Sequence, residues 1–174
     1  GVEDTAPVYL NVASIMATKA QLPLVKAFAQ VVEKIPQARL VLLGAVMKAP
    51  YQAAIERAVR ELGLQQHVVF AGYDRQVSRY YHASDVFVLP SYWEGWSLSL
   101  GEAMANGLSC VITDVGSAYE FETFDNVVVI EPPFGDITQL NYKNLGDFVY
   151  GEDAVFENRL AEAMVKVSRT RKSG

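Results

Sequence analysis

The sequence predicts a doubly wound α/β domain on a parallel sheet of about six strands. Three observations carry this. Short β-rich apolar runs recur from near the start of the chain, helical patterns of 3.6-residue period separate them, and glycines close several of the segments. Strands joined through helices require right-handed crossovers, which cover a parallel sheet on both faces.

Taken in order, Val8 to Ala13 reads as the first strand. Gln21 to Glu33 reads as a helix with Leu24, Val25, Phe28, Val31 and Val32 on one side. Ala38 to Leu43, closed by Gly44, is the second strand, and Tyr51 to Leu62 the next helix, stopped by Gly63. His67 to Ala71, Val86 to Leu89, Ser109 to Thr113 and Asn126 to Ile130 complete the strands, with helices at Arg75 to His82 and Leu98 to Ala105 between them. Beyond Glu131 the signal weakens. Pro132, Pro133, Gly135 and Gly146 punctuate Phe134 to Gly151, read as a loop or insertion; Val155 to Val167 is a helix, and Ser168 to Gly174 a frayed basic end. The whole is expected to be a single domain with its core at about 8–132.

Composition bounds the function. The 174 residues suit one core, and 51% hydrophobic with 20% charged residues is ordinary globular usage. A net charge of −5 disfavours a broad nucleic-acid surface. No apolar run reaches the roughly 18–20 residues that span a bilayer and no signal peptide is visible, so a soluble, cytoplasmic chain is expected. The start at Gly1, without Met, leads us to expect a piece of a longer protein or a processed product. Cys110, the lone cysteine, sits in an apolar run and reads as a buried strand thiol. His67 and His82 lack metal-ligand spacing and read as structural, and there is no Asp-x-Asp pattern.

Ligands of parallel α/β sheets sit beyond the C-terminal strand edge, so the strand-to-helix turns hold the chemistry. After the fourth strand comes Pro90-Ser-Tyr-Trp-Glu94-Gly95-Trp96-Ser97-Leu98-Ser99. Glu94 lies in a loop, Gly95 permits close approach to the backbone, and the amides of about Trp96 to Ser99 open a helix that favours an anion such as a diphosphate. Glu102, one turn further in, has the chemistry to accept from neighbouring hydroxyls. Two carboxylates bracketing an anion site describe a nucleotide sugar. Ser99 and Glu102 also have the spacing of a capping box, which would make Glu102 ordinary. Trp93 and Trp96 fit either sugar stacking or packing. After the first strand, Lys19 stands at the head of a helix, where a cation conflicts with the dipole unless a phosphate is bound or the side chain is merely solvated.

Glu94 and Glu102 form a Glu-x7-Glu pattern within Leu89-Pro90-Ser91-x-x-Glu94-Gly95 and Glu102-Ala103-Met104-Ala105-x-Gly107. In this the chain resembles the retaining glycosyltransferases of the GT-B fold, group 1 (family 4), over about Val8 to Pro132. The resemblance implies one half of a GT-B fold, a Rossmann-like donor-binding domain that works with an N-terminal acceptor domain absent from these residues. It implies that Glu94 meets the donor sugar hydroxyls, Glu102 the ribose hydroxyls and Lys19 the diphosphate. The family's other basic residue is Ser14 here, with Ala13 and Ala20 in place of glycines; Arg75 is a candidate substitute. Gly72 and Tyr73 resemble the loop that meets the base, although a tyrosine there also fits plain packing. Gly116 falls in the segment that closes on the donor and would allow close approach to the backbone, with Glu120 beside it. The partner implied is a nucleotide sugar, with no metal or other cofactor, and membrane association only through the absent domain. The isolated piece is expected to bind nucleotide weakly without transferring sugar. A non-catalytic nucleotide-binding or scaffolding module and a GT-B-like sugar-nucleotide epimerase are the rival readings.

Overall fold

The computed structural model describes residues 6–141 and 143–170. Six strands, β1 Val8–Val12, β2 Arg39–Leu43, β3 Val68–Gly72, β4 Val86–Leu89, β5 Ser109–Thr113 and β6 Val127–Ile130, form one sheet of order β3-β2-β1-β4-β5-β6, every neighbour parallel. The helices are α1 Gln21–Lys34, α2 Ala49–Glu61, α3 Ser78–His82, α4 Leu98–Ala105, α5 Leu145–Tyr150 and α6 Ala154–Thr170.

The apolar strands explain the layering. Side chains alternate across a strand, so Tyr9, Leu40, Leu42, Val86, Val88 and Val111 enter one core with α1, α2 and α6. Leu10, Phe87, Leu89, Cys110 and Ile112 enter a second core with Tyr81 of α3 and Leu100 and Ala103 of α4. Leu24, Val25, Phe28 and Val31 of α1 are fully buried, and the Phe28 ring meets Tyr9 edge-on at 5.6 Å. Burying an aromatic side chain of this kind stabilises by roughly 1.5–3 kcal/mol.

The strand order reverses between β1 and β4. Their ladder holds only the pairs Tyr9 with Val86 and Leu10 with Phe87, whereas β1 and β2 pair at five positions. The chain leaves β1 toward β2 and leaves β4 toward β5, so the connections diverge and open a crevice at the switch point. Asn11, fully buried, spans the gap by donating from Nδ2 to the Val88 carbonyl at 2.8 Å. Beyond it the Tyr92 amide donates to the Thr18 carbonyl at 2.8 Å, tying the loop after β4 to the 3-10 turn Ala17–Lys19.

Ala20 ends that turn in the left-handed region at φ 52°, the one non-glycine with positive φ among the described residues. The conformation costs an alanine roughly 1–2 kcal/mol. Its methyl group is fully buried, which returns about 0.8 kcal/mol, so alanine is tolerated where a glycine would be less strained.

Three segments differ from expectation. Phe134 to Gly151 is not only a loop: it holds a 3-10 turn at Ile137–Gln139 and α5, and buries Phe134, Leu140 and Val149. Its α5 packs against the turn that carries Lys19, and Lys26 of α1 donates to the Gly151 carbonyl at 2.8 Å. The core therefore runs past Pro132, and Phe156, Leu160 and Met164 of α6 belong to it. The helix expected from Arg75 begins at Ser78, because the Asp74 carboxylate accepts from the Gln76 amide and holds a turn instead. Ser168 lies within α6, its hydroxyl donating to the Val165 carbonyl, while residues 171–174 of the expected basic end lie outside the described residues.

Cys110 is fully buried in β5, and burial pushes its thiol up to about 12. At pH 8 its thiolate is on the order of one part in ten thousand. A maleimide or disulfide reagent is therefore expected to leave the native chain unlabelled and to modify one thiol per chain in denaturant. Stoichiometric labelling of the folded chain would contradict this placement.

Candidate functional site

Lys19 and Glu94 meet across the switch point. Lys19 follows β1 and Glu94 follows β4, and Nζ stands 2.7 Å from Glu94 Oε1 with the side chains 22% and 14% exposed. The cation at the head of α1 is thus balanced by a carboxylate of the neighbouring loop. Ser91, fully buried, donates from Oγ to the same Oε1 at 2.7 Å, and its own carbonyl accepts from the Thr113 hydroxyl of β5. With both donors on Oε1, Oε2 carries no hydrogen bond among the described residues. Ser91 and Thr113 were missed as site residues. Ser91 stood inside the quoted motif, but nothing in the sequence placed Thr113 beneath it.

Gly116 allows a close backbone approach, as the sequence suggested, and the backbone it admits here is that of the Glu94 loop. At φ 60°, a Cβ on Gly116 would stand 2.5 Å from the Glu94 carbonyl oxygen and 2.6 Å from that of Gly95. The backbone that approaches so closely is the protein's own. Ser117 completes the seam by donating its amide and hydroxyl to the Gly95 carbonyl at 3.2 and 3.1 Å. Gly95 itself is open, since a Cβ there would meet nothing within 4 Å.

Ser97 caps α4 by accepting from the Leu100 amide at 3.3 Å. The amides of Leu98 and Ser99 in the first turn have no acceptor among the described residues, as helix starts require. Since the cap is Ser97, Ser99 and Glu102 do not form a capping box. Glu102 Oε2 instead accepts from the Tyr81 hydroxyl of α3 at 2.8 Å. Burial first, then the adjacent carboxylate, hold the Tyr81 phenol far above its ordinary range, so it stays a donor. Tyr81 was also missed by sequence reasoning; only its place on an amphipathic turn was visible.

At the ends of β1, β2 and β3, Ser14, Gly44, Ala45, Tyr73, Asp74 and Val77 line an open depression. Gly44 is required there, because a Cβ would fall 2.0 Å from the Ala13 carbonyl oxygen. Gly72 leads into the loop at φ 68°, and Tyr73 is 71% exposed, which excludes plain packing. Ser14 uses its carbonyl to accept from the buried Gln21 at 3.0 Å. Arg75 is exposed and does not line the depression; Asp74 beside it is paired with Arg79. Trp93 and Trp96 are both more than half exposed, so neither is a core residue, although Trp96 rests on Phe121 at 5.3 Å. His67 stands just before β3 and His82 ends α3. Among the described residues no three His, Cys, Asp or Glu side chains gather as a metal site would, and no helix is long and apolar enough to cross a membrane.

A six-stranded parallel sheet with this reversal and these turns is one half of a GT-B glycosyltransferase fold. The chain belongs to the family of glycosyl transferases group 1, whose model matches residues 1–142. It is 37% identical over 73 residues to the lipopolysaccharide core biosynthesis mannosyltransferase LpsB of Rhizobium meliloti, covering 42% of this chain and 21% of that protein. Among solved structures, the C-terminal domain of a group 1 glycosyl transferase, LpcC of Francisella tularensis, matches at TM-score 0.67 and 22% identity over 98% of this chain and 89% of its own. HepE of Anabaena in complex with UDP-glucose matches at TM-score 0.68 and 22% identity over 96% of this chain and 45% of its own. The chain thus spans about a fifth of the length of LpsB and under half that of HepE.

Proposed function

We propose that the chain binds a nucleoside diphosphate sugar across the β1/β4 crevice and serves retaining hexosyl transfer to a hydroxyl acceptor, in the manner of family 4 enzymes. The observation that carries this is the Lys19 to Glu94 contact of 2.7 Å, which joins the two turns of the switch point beside the opening amides of α4. In this reading the diphosphate lies against Lys19 and the amides of Leu98 and Ser99. The sugar reaches Glu94 Oε2 over Gly95 and Trp96, the ribose reaches Glu102, and Gly72 and Tyr73 cover the base. Ser14 supplies no cation, so Arg75, on the loop that also carries Tyr73, is the candidate second charge. HepE, of the same fold, was solved with UDP-glucose, which supports a donor of this class.

In transfer, the bond from the anomeric carbon to the diphosphate oxygen breaks, its electron pair leaves with the diphosphate, and the acceptor oxygen bonds to the same face of the sugar while its proton passes to the departing diphosphate oxygen. Lys19 and the α4 amides stabilise the growing charge as preorganised donors, and Glu94 orients the sugar. This division of labour calls for no metal ion. The acceptor would be held by a separate domain, which would also carry any association with a membrane surface; a nucleic-acid partner has no place in it.

Calorimetry with UDP, GDP and ADP tests the reading. One of the three is expected to bind, and Glu102→Ala to weaken it about 10- to 100-fold, the range for hydrogen bonds to a charged group. Binding that the substitution leaves untouched would displace the ribose site from Glu102. A chain that binds none of them would be a scaffolding module, the reading that Ser14 in place of arginine favours.

A further inference from the structure

The Tyr81 hydroxyl lies 2.8 Å from Glu102 Oε2 and 3.2 Å from the Ser99 carbonyl oxygen. A phenol has one proton to give, and the shorter, charge-assisted bond is the one to the carboxylate. The ring is 2% exposed and packs beside Phe87 at 6.3 Å, so the hydroxyl has no second position to adopt. It ties one oxygen of Glu102 to α3 and leaves Oε1 without a hydrogen-bond partner among the described residues. A glutamate on a helix surface otherwise samples many rotamers, and ordering it on binding costs affinity.

We infer that Tyr81 is a positioning residue that holds the Glu102 carboxylate in register to accept from the vicinal 2′- and 3′-hydroxyls of a ribose, and so sets how strongly the site prefers ribonucleotides over 2′-deoxyribonucleotides. This rests on the reading of Glu102 as the ribose contact. Tyr81 touches no part of the ligand; it acts through Glu102. The same arrangement recurs at Glu94, where Ser91 and Lys19 engage one oxygen and leave the other without a hydrogen bond among the described residues.

The test is the ratio of dissociation constants for UDP and 2′-deoxy-UDP, or the matched GDP or ADP pair if that base binds more tightly, with melting curves alongside. Tyr81→Phe is expected to melt close to the parent chain, to bind the ribonucleotide about fivefold or more weakly and to bind the deoxynucleotide as before, collapsing the ratio toward that of Glu102→Ala. Tyr81→Met, which fills the place of the ring without a hydroxyl and leaves Glu102 intact, is expected to collapse the ratio likewise and serves as the second variant should Tyr81→Phe not fold. A Tyr81→Phe chain with the parental ratio, or one weakened equally for both nucleotides, would make Tyr81 merely structural and overturn the inference while the Glu102 reading stands. A parental ratio in Glu102→Ala, or no binding of any nucleotide, would overturn both.

Discussion

Gly116→Ala is expected to lower the melting temperature by about 5–15 °C and to abolish nucleotide binding, because it displaces the loop that carries Glu94. The left-handed conformation at φ 60° costs an alanine roughly 1–2 kcal/mol. Overpacking adds roughly 1–3 kcal/mol, because the atoms in the way, the Glu94 and Gly95 carbonyl oxygens at 2.5 and 2.6 Å, belong to backbone that no rotamer change can relieve. For a chain of 174 residues each kcal/mol moves the midpoint by about 2–4 °C. To make room, the loop must lift away from Ser117, which withdraws Glu94 from Ser91 and Lys19. Gly95→Ala is the control. A Cβ at Gly95 meets nothing within 4 Å, so this variant is expected to melt like the parent and to lose only what a ligand seated there would contact. A Gly116→Ala chain that melts at the parental temperature would refute the seam between the two loops.

The contrast between these glycines shows what was legible in the sequence. Both looked like places where a ligand could approach the backbone, and a single chain cannot reveal which backbone comes near. The central strands β4 and β5 were legible because they are mostly apolar and buried from both sides, and they fall at their expected bounds of Val86–Leu89 and Ser109–Thr113, as does the helix α4 between them at Leu98–Ala105. The turns that carry Lys19 and Glu94, and the start of the helix that carries Glu102, were legible too, because the alternation of elements puts them at one sheet edge. Side-chain partners from distant elements were not. Tyr81 is 21 residues from Glu102, and Thr113 is 22 from Ser91; these contacts exist only once α3 and β5 are set beside α4 and β4. The region after Pro132 failed for another reason. Phe134 and Leu140 bury from short irregular turns and Val149 from the six-residue α5, too short to show the period that marks a helix face, and prolines and glycines interrupt the segment.

Lys19→Ala is expected to reduce kcat/KM of the complete enzyme by a hundredfold or more, the typical cost of one donor aimed at developing charge. An ammonium carries three protons, and Glu94 occupies one direction of Nζ at 2.7 Å. The others remain for diphosphate oxygens, so donor binding need not break the pair. Lys19 would then do two things at once, fixing the carboxylate that orients the sugar and neutralising the group that departs. With exposures of 22% and 14%, the pair lies between an exposed ion pair worth at most ~1 kcal/mol and a buried one whose breaking costs ~3–5 kcal/mol. Loss of either partner should therefore disturb the other. Glu94→Ala is expected to lower the rate comparably, and the double variant to be little worse than the worse single one, because groups that act as a unit are not additive. Losses that multiply would show that Lys19 and Glu94 each act without the other's support. A Lys19→Ala enzyme within tenfold of the parent would place the phosphate-neutralising charge elsewhere, with Arg75 the first residue to substitute next.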